Sequence, residues 1–285
     1  MLLPADSGEH HAWSEKFKQS AADTWSPAVA TGIDPFVQEH IAATNGVMYR
    51  SLVGKLTRYP IPHFPMLPGR GRRLLDVGCN WGRWCVTAAR HGYVPIGIDA
   101  SLDAVRAAKR VAQQLGVAAT YLVADARRLP FASGSFDAVF SYSVLQHLEK
   151  LDAKTCFIEI ARVLKPYGES LIQLANTFGV RSVQNRLRRL FRPRTPFDVN
   201  YYTPRELETL FRAVIGPTAV TVDGYFSLNS QSSDLDLLPV PYRTVVRASA
   251  ALRPLSEKLP WMRYFADSLY VRSVREIDTV PRSQP

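Results

Sequence analysis

Between residues 72 and 175, short continuous apolar runs alternate with helix-period segments, and this spacing restricts the chain to very few folds. The runs at 74–77, 94–99, 120–124, 136–142 and 170–175 read as strands, and 82–91, 102–115 and 151–164 read as helices. Strands without polar alternation are buried on both faces, and strand–helix alternation lays them parallel with helices above and below the sheet. Further on, Thr203-Pro-Arg-Glu206 is a capping box with proline at the first helical position. That helix runs to Val214 and stops at Gly216-Pro217, and two late strands follow at 219–226 and 268–273, which makes seven.

Acids stand at or near the carboxyl ends of the first three strands: Asp76, Asp99 and Asp125. In open α/β sheets, ligands bind outside those ends, where the strand order reverses. The first strand leads into Asp76-Val-Gly78-Cys-Asn80-Trp-Gly82-Arg83, whose glycines allow a tight turn and a close approach of backbone to ligand. A nicotinamide fingerprint requires glycine at 78, 80 and 83, and Asn80 and Arg83 break it twice. An acid-x-Gly-x-x-x-Gly turn remains. Taken singly, each aspartate could equally be a helix cap.

The stretch 72–176 resembles the class I S-adenosylmethionine-dependent methyltransferases, specifically the small-molecule group that includes ubiquinone-biosynthesis enzymes. Five segments carry the resemblance in order: the Leu74–Gly82 turn, Gly97-Ile-Asp99-Ala-Ser101, Ala124-Asp125-Ala126 with Leu129-Pro-Phe131, 135–148, and the Glu159–Gly168 helix and turn. The resemblance implies a Rossmann-like sheet of seven mostly parallel strands with the last one antiparallel, and S-adenosylmethionine as cofactor. It assigns the methionine end to Asp76 and the Gly78–Gly82 turn. Asp99 falls to the two ribose hydroxyls with Ala100 and Ser101 beside it, Asp125 and the Ala126 N–H to adenine, and Ser141, at the exit of the fourth strand, is a further cofactor-binding candidate. Asn80 departs from the family, which has glycine there; asparagine tolerates unusual backbone angles, so altered tuning is expected and not loss of binding. No metal is expected.

Methyl transfer from a sulfonium is an in-line displacement, so the protein chiefly supplies alignment and a dry pocket. A general base helps when the acceptor is a hydroxyl or an acidic carbon. His147, after the fourth strand, is the leading candidate, with helix capping as the plainer reading. Tyr142, Tyr201 and Tyr202 are candidates for lining the acceptor pocket, against ordinary packing. Arg50 or Arg58 is a candidate partner for the cofactor carboxylate.

Residues 1–70 read as a helical extension, with helical segments around 34–58, closed by a linker with four prolines in 59–68. Residues 71–285 form the methyltransferase domain, with substrate-side helical insertions at 177–202 and 228–266. In the first insertion Val180, Val183, Leu187, Leu190 and Phe191 mark one helical face, while Arg181, Arg186, Arg188, Arg189, Arg192 and Arg194 occupy the rest. No acid interrupts 170–197. Such a helix either packs by its stripe with a solvated basic face, grips a phosphate-bearing or lipid-linked acceptor, or lies on an anionic bilayer through 180–194. The net charge of +10 fits an anionic partner without choosing one. A small-molecule acceptor, O-methylated by preference, leads. RNA methylation ranks below it, since Ser141-Tyr-Ser-Val lacks the Asn-Pro-Pro-aromatic signature of amino-directed nucleic-acid enzymes. A non-catalytic, cofactor-binding member is the third reading. Three cysteines and no long apolar run point to the cytoplasm, with peripheral contact at the inner face of a membrane as a variant. The chain leaves oligomeric state open.

Overall fold

A computed structural model describes residues 32–45, 49, 52–189, 198–226 and 231–276. Seven strands form one sheet: β1 (Arg73–Val77), β2 (Val94–Asp99), β3 (Thr120–Val123), β4 (Phe136–Tyr142), β5 (Leu164–Ala175), β6 (Thr218–Gly224) and β7 (Ser268–Val274). Their order is β3-β2-β1-β4-β5-β7-β6. β1 to β5 pair in parallel, and β7, last in sequence, inserts antiparallel to both β5 and β6. The order reverses between β1 and β4, so a ligand crevice belongs at the carboxyl ends of those two strands.

Side-chain alternation sorts the buried residues onto the two faces of the sheet. Val139, Ile172, Leu174, Leu269 and Val271 face one core, completed by α4 (Lys150–Val163) and α6 (Pro204–Val214) through Phe157, Ile160, Leu207 and Phe211. Ala138, Phe140, Tyr142, Leu171 and Tyr270 face the other, under Trp84 and Ala88 of α2 (Arg83–Arg90) and Met66 of the proline-rich segment. Helices therefore cover both faces, as the unbroken apolar runs require.

Local signals account for several boundaries. Thr203 and Glu206 make both bonds of the capping box at the start of α6. Ser101 caps α3 (Leu102–Gln114) by accepting from the Ala104 N–H at 3.3 Å. β5 begins six residues earlier than apolar patterning indicates, because Leu164 pairs with Phe136 across an irregularity in register. In the leading segment, α1 (Pro35–Thr44) packs through Phe36, Val37 and Ile41 against α3. Tyr49 is again helical, and 52–58 run through turns and bends. The insertions carry α5 (Val180–Arg189) and α7 (Val240–Lys258). Arg50, Leu190, Phe191, Arg192 and Arg194 lie outside the described residues, as do the side chains of Arg188 and Arg189.

Candidate active site

β1 delivers Asp76, fully buried, into the turn that starts α2. Gly78 has φ +76°, and a Cβ there would stand 2.4 Å from a Val144 methyl. Gly82, at φ +82°, caps α2 and would press a Cβ to 2.8 Å from the Tyr121 hydroxyl. Asn80, between them, adopts φ +47°, so the departure from glycine keeps the left-handed backbone. Its side-chain oxygen accepts from the Trp81 N–H at 2.7 Å, and its own N–H donates to Asp99 Oδ2 at 3.0 Å.

Asp76 and Asp99 lie on paired strands, close enough that the Asp99 carboxylate disfavours charge on Asp76. Cys85 Sγ donates to Asp76 Oδ2 at 3.3 Å, while Oδ1 has no partner. Burial, reinforced by Asp99, pushes the Asp76 carboxyl up to about 7. Asp99 accepts from the N–H groups of Asn80 and Ser101, the latter at 2.9 Å, and its pKa is raised by burial. A carboxylate offers about four acceptor positions, so Asp99 keeps capacity for further donors. Ala100, exposed, and Ser101 carry the chain from Asp99 into α3.

Asp125 follows β3 and is exposed, in a two-pronged ion pair with Arg127, whose other arm reaches Asp152 at 2.9 Å. The guanidinium holds the Asp125 carboxyl below its usual range. Ala126 is half-buried beside it. β2 and β3 are bonded beyond their ends, Ala124 N–H to Asp99 C=O at 3.0 Å, so the three acids share one edge of the sheet. Ser141, expected among the cofactor-binding residues, is instead fully buried and donates to the Val77 carbonyl at 2.8 Å, so its hydroxyl fastens β4 to β1.

On the acceptor side, His147 is half-buried in a 3-10 turn, Leu145–His147, directly after β4. Asn200 braces that turn through the carbonyls of Gln146 and Leu148. Tyr142 lies against Trp84 with ring centroids 4.7 Å apart, and its hydroxyl donates to buried Asp223 at 2.9 Å and accepts from Gln231 at 2.8 Å. Tyr201 is half-buried. Two further expectations are corrected. Tyr202 does not face a pocket, because its bridge to Asn176 turns the ring into the core with Phe157 and Leu207, beneath Lys150. Arg58 is held at the surface by Asp236 and the Ser233 carbonyl, so it does not reach the crevice.

The arginine at the crevice is Arg83, which spacing alone did not single out. It is 6 % exposed, lies 5.2 Å and 5.5 Å from the ring centres of Trp84 and Tyr142, and leaves Nη1 without a hydrogen-bond partner. Its place directly after the second glycine, between two tryptophans, was the available signal. The amino-acid end of the expected cofactor carries an ammonium and a carboxylate. Asp76 Oδ1 and Arg83 Nη1, an unfilled acceptor and an unfilled donor at the glycine turn, match that pair in charge and kind. On the ribose assignment, Asp99→Ala weakens S-adenosylhomocysteine binding by about 100-fold or more in calorimetry, since it removes two charge-assisted acceptors and the brace on Asn80. Unaltered affinity would remove that assignment.

A model of a methyltransferase domain matches residues 74–168. A ubiquinone biosynthesis O-methyltransferase of Bartonella bacilliformis is 27% identical over 184 residues, 61% of this chain and 73% of the relative. One of the same name from Brucella anthropi is 31% identical over 173 residues, 55% of this chain and 66% of the relative. The chain thus spans about two thirds to three quarters of these two relatives' length. In structure, a SAM-dependent methyltransferase from Methanosarcina mazei superposes with a TM-score of 0.53 at 19% identity, over 73% of this chain and 94% of that one.

Proposed function

Since this chain belongs to the class I S-adenosylmethionine-dependent methyltransferases, we propose that it methylates an oxygen of a small acceptor presented at an anionic lipid surface. The observation that carries the lipid part is the state of α5. The described part of its predicted apolar stripe is not packed away: Val180, Val183 and Leu187 are 54 %, 39 % and 57 % exposed, and among the described side chains of that helix the buried one is Ser182. Phe178 before it is exposed as well, and Asn176 Nδ2, donating to the carbonyls of Arg263, Tyr264 and Ala266, ties α5 to the segment bearing exposed Trp261 and Phe265. Arg181 and Arg186 are exposed alongside. Apolar side chains, an aromatic ring pair and arginines without acids suit a helix lying in a bilayer interface. Among the described residues no helix is long and apolar enough to cross a membrane, so the contact is one of lying on the surface.

When bound, S-adenosylmethionine supplies a methyl carbon already activated by its sulfonium. The protein's own part is then to hold and to keep dry. Asp76 and Arg83 bind the amino-acid end, Asp99 the ribose, and Asp125 with Ala126 the adenine. Gly78 and Gly82 bring backbone close without a Cβ. His147, positioned by its 3-10 turn after β4, takes the proton of the acceptor hydroxyl.

The test is sedimentation with vesicles. The protein co-sediments with phosphatidylcholine vesicles containing a third of phosphatidylglycerol and stays in the supernatant with phosphatidylcholine alone. Arg181→Gln with Arg186→Gln weakens binding about 30-fold, at roughly 1 kcal/mol per arginine near an anionic surface. Labelled methyl from S-adenosylmethionine then appears in the lipid fraction of a membrane extract. Equal binding to both vesicles, or label confined to water-soluble products, would overturn the lipid-surface reading.

A further inference from the structure

Trp81, between the two glycines of the cofactor turn, is 1 % exposed and lies in one buried cluster with Ile41, Tyr49 and Tyr59 of the leading segment. Its indole stacks on the Tyr59 ring with centroids 6.0 Å apart. The indole Nε1–H donates at 3.0 Å to Oδ1 of Asn45, the residue that follows α1 and closes it by donating its own N–H to the Ile41 carbonyl. An indole nitrogen can only donate, so this bond fixes the two ends of the amide: Oδ1 meets the indole, and Nδ2 turns away with two protons. Asn45 is 5 % exposed, and Nδ2 is buried without a hydrogen-bond partner. Two neighbours place this amide at the turn. The Thr44 hydroxyl, whose proton goes to the His40 carbonyl at 2.6 Å, lies 3.3 Å from Asn80 Oδ1. Tyr49, bonded to Asp234, stands within hydrogen-bonding reach of Arg83.

Around the glycine turn, Asp76 Oδ1 is therefore an unfilled acceptor, and Arg83 Nη1 and Asn45 Nδ2 are unfilled donors. Each buried bond left unmade costs stability, and a ligand that completes them together recovers it. We infer that Asn45 is a further cofactor-binding residue, whose Nδ2 donates beside Arg83 to the carboxylate of S-adenosylmethionine. This rests on the proposed binding of the cofactor's amino-acid end by Asp76 and Arg83. A carboxylate has about four acceptor positions, more than one guanidinium arm satisfies. Trp81 is the positioning residue, because its N–H holds the amide with the NH2 turned outward. The leading segment is then a wall of the cofactor site, and Asn80 meets it through a side-chain oxygen that glycine at this position would lack.

S-adenosylhomocysteine and its decarboxylated analogue differ only in the carboxylate, and calorimetry on the full chain at pH 8 compares them. The wild type binds S-adenosylhomocysteine at least about 100-fold more tightly, since the analogue forfeits two donors to a charged group. Asn45→Asp keeps an oxygen for the indole and sets a carboxylate where the NH2 stood. It weakens S-adenosylhomocysteine by about 30-fold or more and leaves the analogue's affinity unchanged or higher, so most of the preference is lost. Trp81→Phe keeps a ring and removes the indole N–H. It weakens S-adenosylhomocysteine by about 3- to 10-fold and the analogue not at all, and it carries the test if Asn45→Asp does not fold. The inference is overturned if either variant weakens both ligands by the same factor, as a merely loosened segment would, or if Asn45→Asp keeps the wild-type preference. Wild-type protein that binds the two ligands equally also overturns it and leaves the ribose and adenine assignments standing. Failure to bind S-adenosylhomocysteine at all would instead remove the cofactor reading on which the inference rests.

Discussion

Replacing His147 with alanine lowers kcat for methyl transfer by between about 100- and 10,000-fold, while S-adenosylmethionine binding is unchanged. The size follows from the role: a hydroxyl attacking a methyl carbon must shed its proton, and positioned bases contribute in this range. Binding is spared because Asp76, Arg83 and Asp99, the residues proposed to hold the cofactor, belong to β1, α2 and β2, whereas His147 belongs to the turn after β4. The variant folds, since the turn is fixed by backbone carbonyls of Gln146 and Leu148 bonded to Asn200, and neither bond involves the imidazole. Two readouts separate a base from a mere turn residue. Added imidazole restores part of the rate, and the deficit shrinks for acceptors with more acidic hydroxyls, which need less help in losing the proton. A His147→Ala enzyme with the same kcat on weakly acidic acceptors would end the assignment.

Much of the candidate site is legible in the sequence, for a reason that is local. The glycine turn, the strand-end acids and the capping box at Thr203 each depend on backbone angles or hydrogen bonds within a few residues. Asn80 at φ +47° belongs to the same group. What stayed hidden depends on contacts distant in sequence. Tyr201 and Tyr202 are adjacent and chemically alike. The bridge from Tyr202 to Asn176, 26 positions away, sends the second ring into the core. Tyr49 pairs with buried Asp234, joining the leading segment to the second insertion near Arg83, and no pattern at either position announces it. The stripe on α5 was legible as a pattern, and its exposure was not, since burial is a property of what lies opposite.

Asp76→Asn raises the stability of the cofactor-free protein at pH 8 and severely weakens S-adenosylhomocysteine binding there, two opposite effects of one buried carboxylate. Burial lifts the carboxyl from 3.8 to about 7, so between those values the folded protein holds a proton that the unfolded chain releases. A folded pKa above the unfolded one means stability fully present below about pH 4 and lost as pH rises through 7. The loss amounts to about 4 kcal/mol, taking 1.36 kcal/mol per unit. Asparagine keeps the shape without the charge, so the fall in stability between pH 4 and pH 8 largely flattens in the variant. Ligand binding runs the other way. The cofactor's ammonium needs the ionised carboxylate, and below pH 7 a proton must leave before the pair can form. Wild-type affinity for S-adenosylhomocysteine therefore falls towards tenfold for each pH unit below 7, and binding at pH 6 releases close to one proton, which calorimetry in buffers of different ionisation enthalpy measures directly. The variant releases none. Wild-type binding that is flat from pH 5 to pH 8 with no proton release would show that Asp76 does not face the ammonium, whatever its burial.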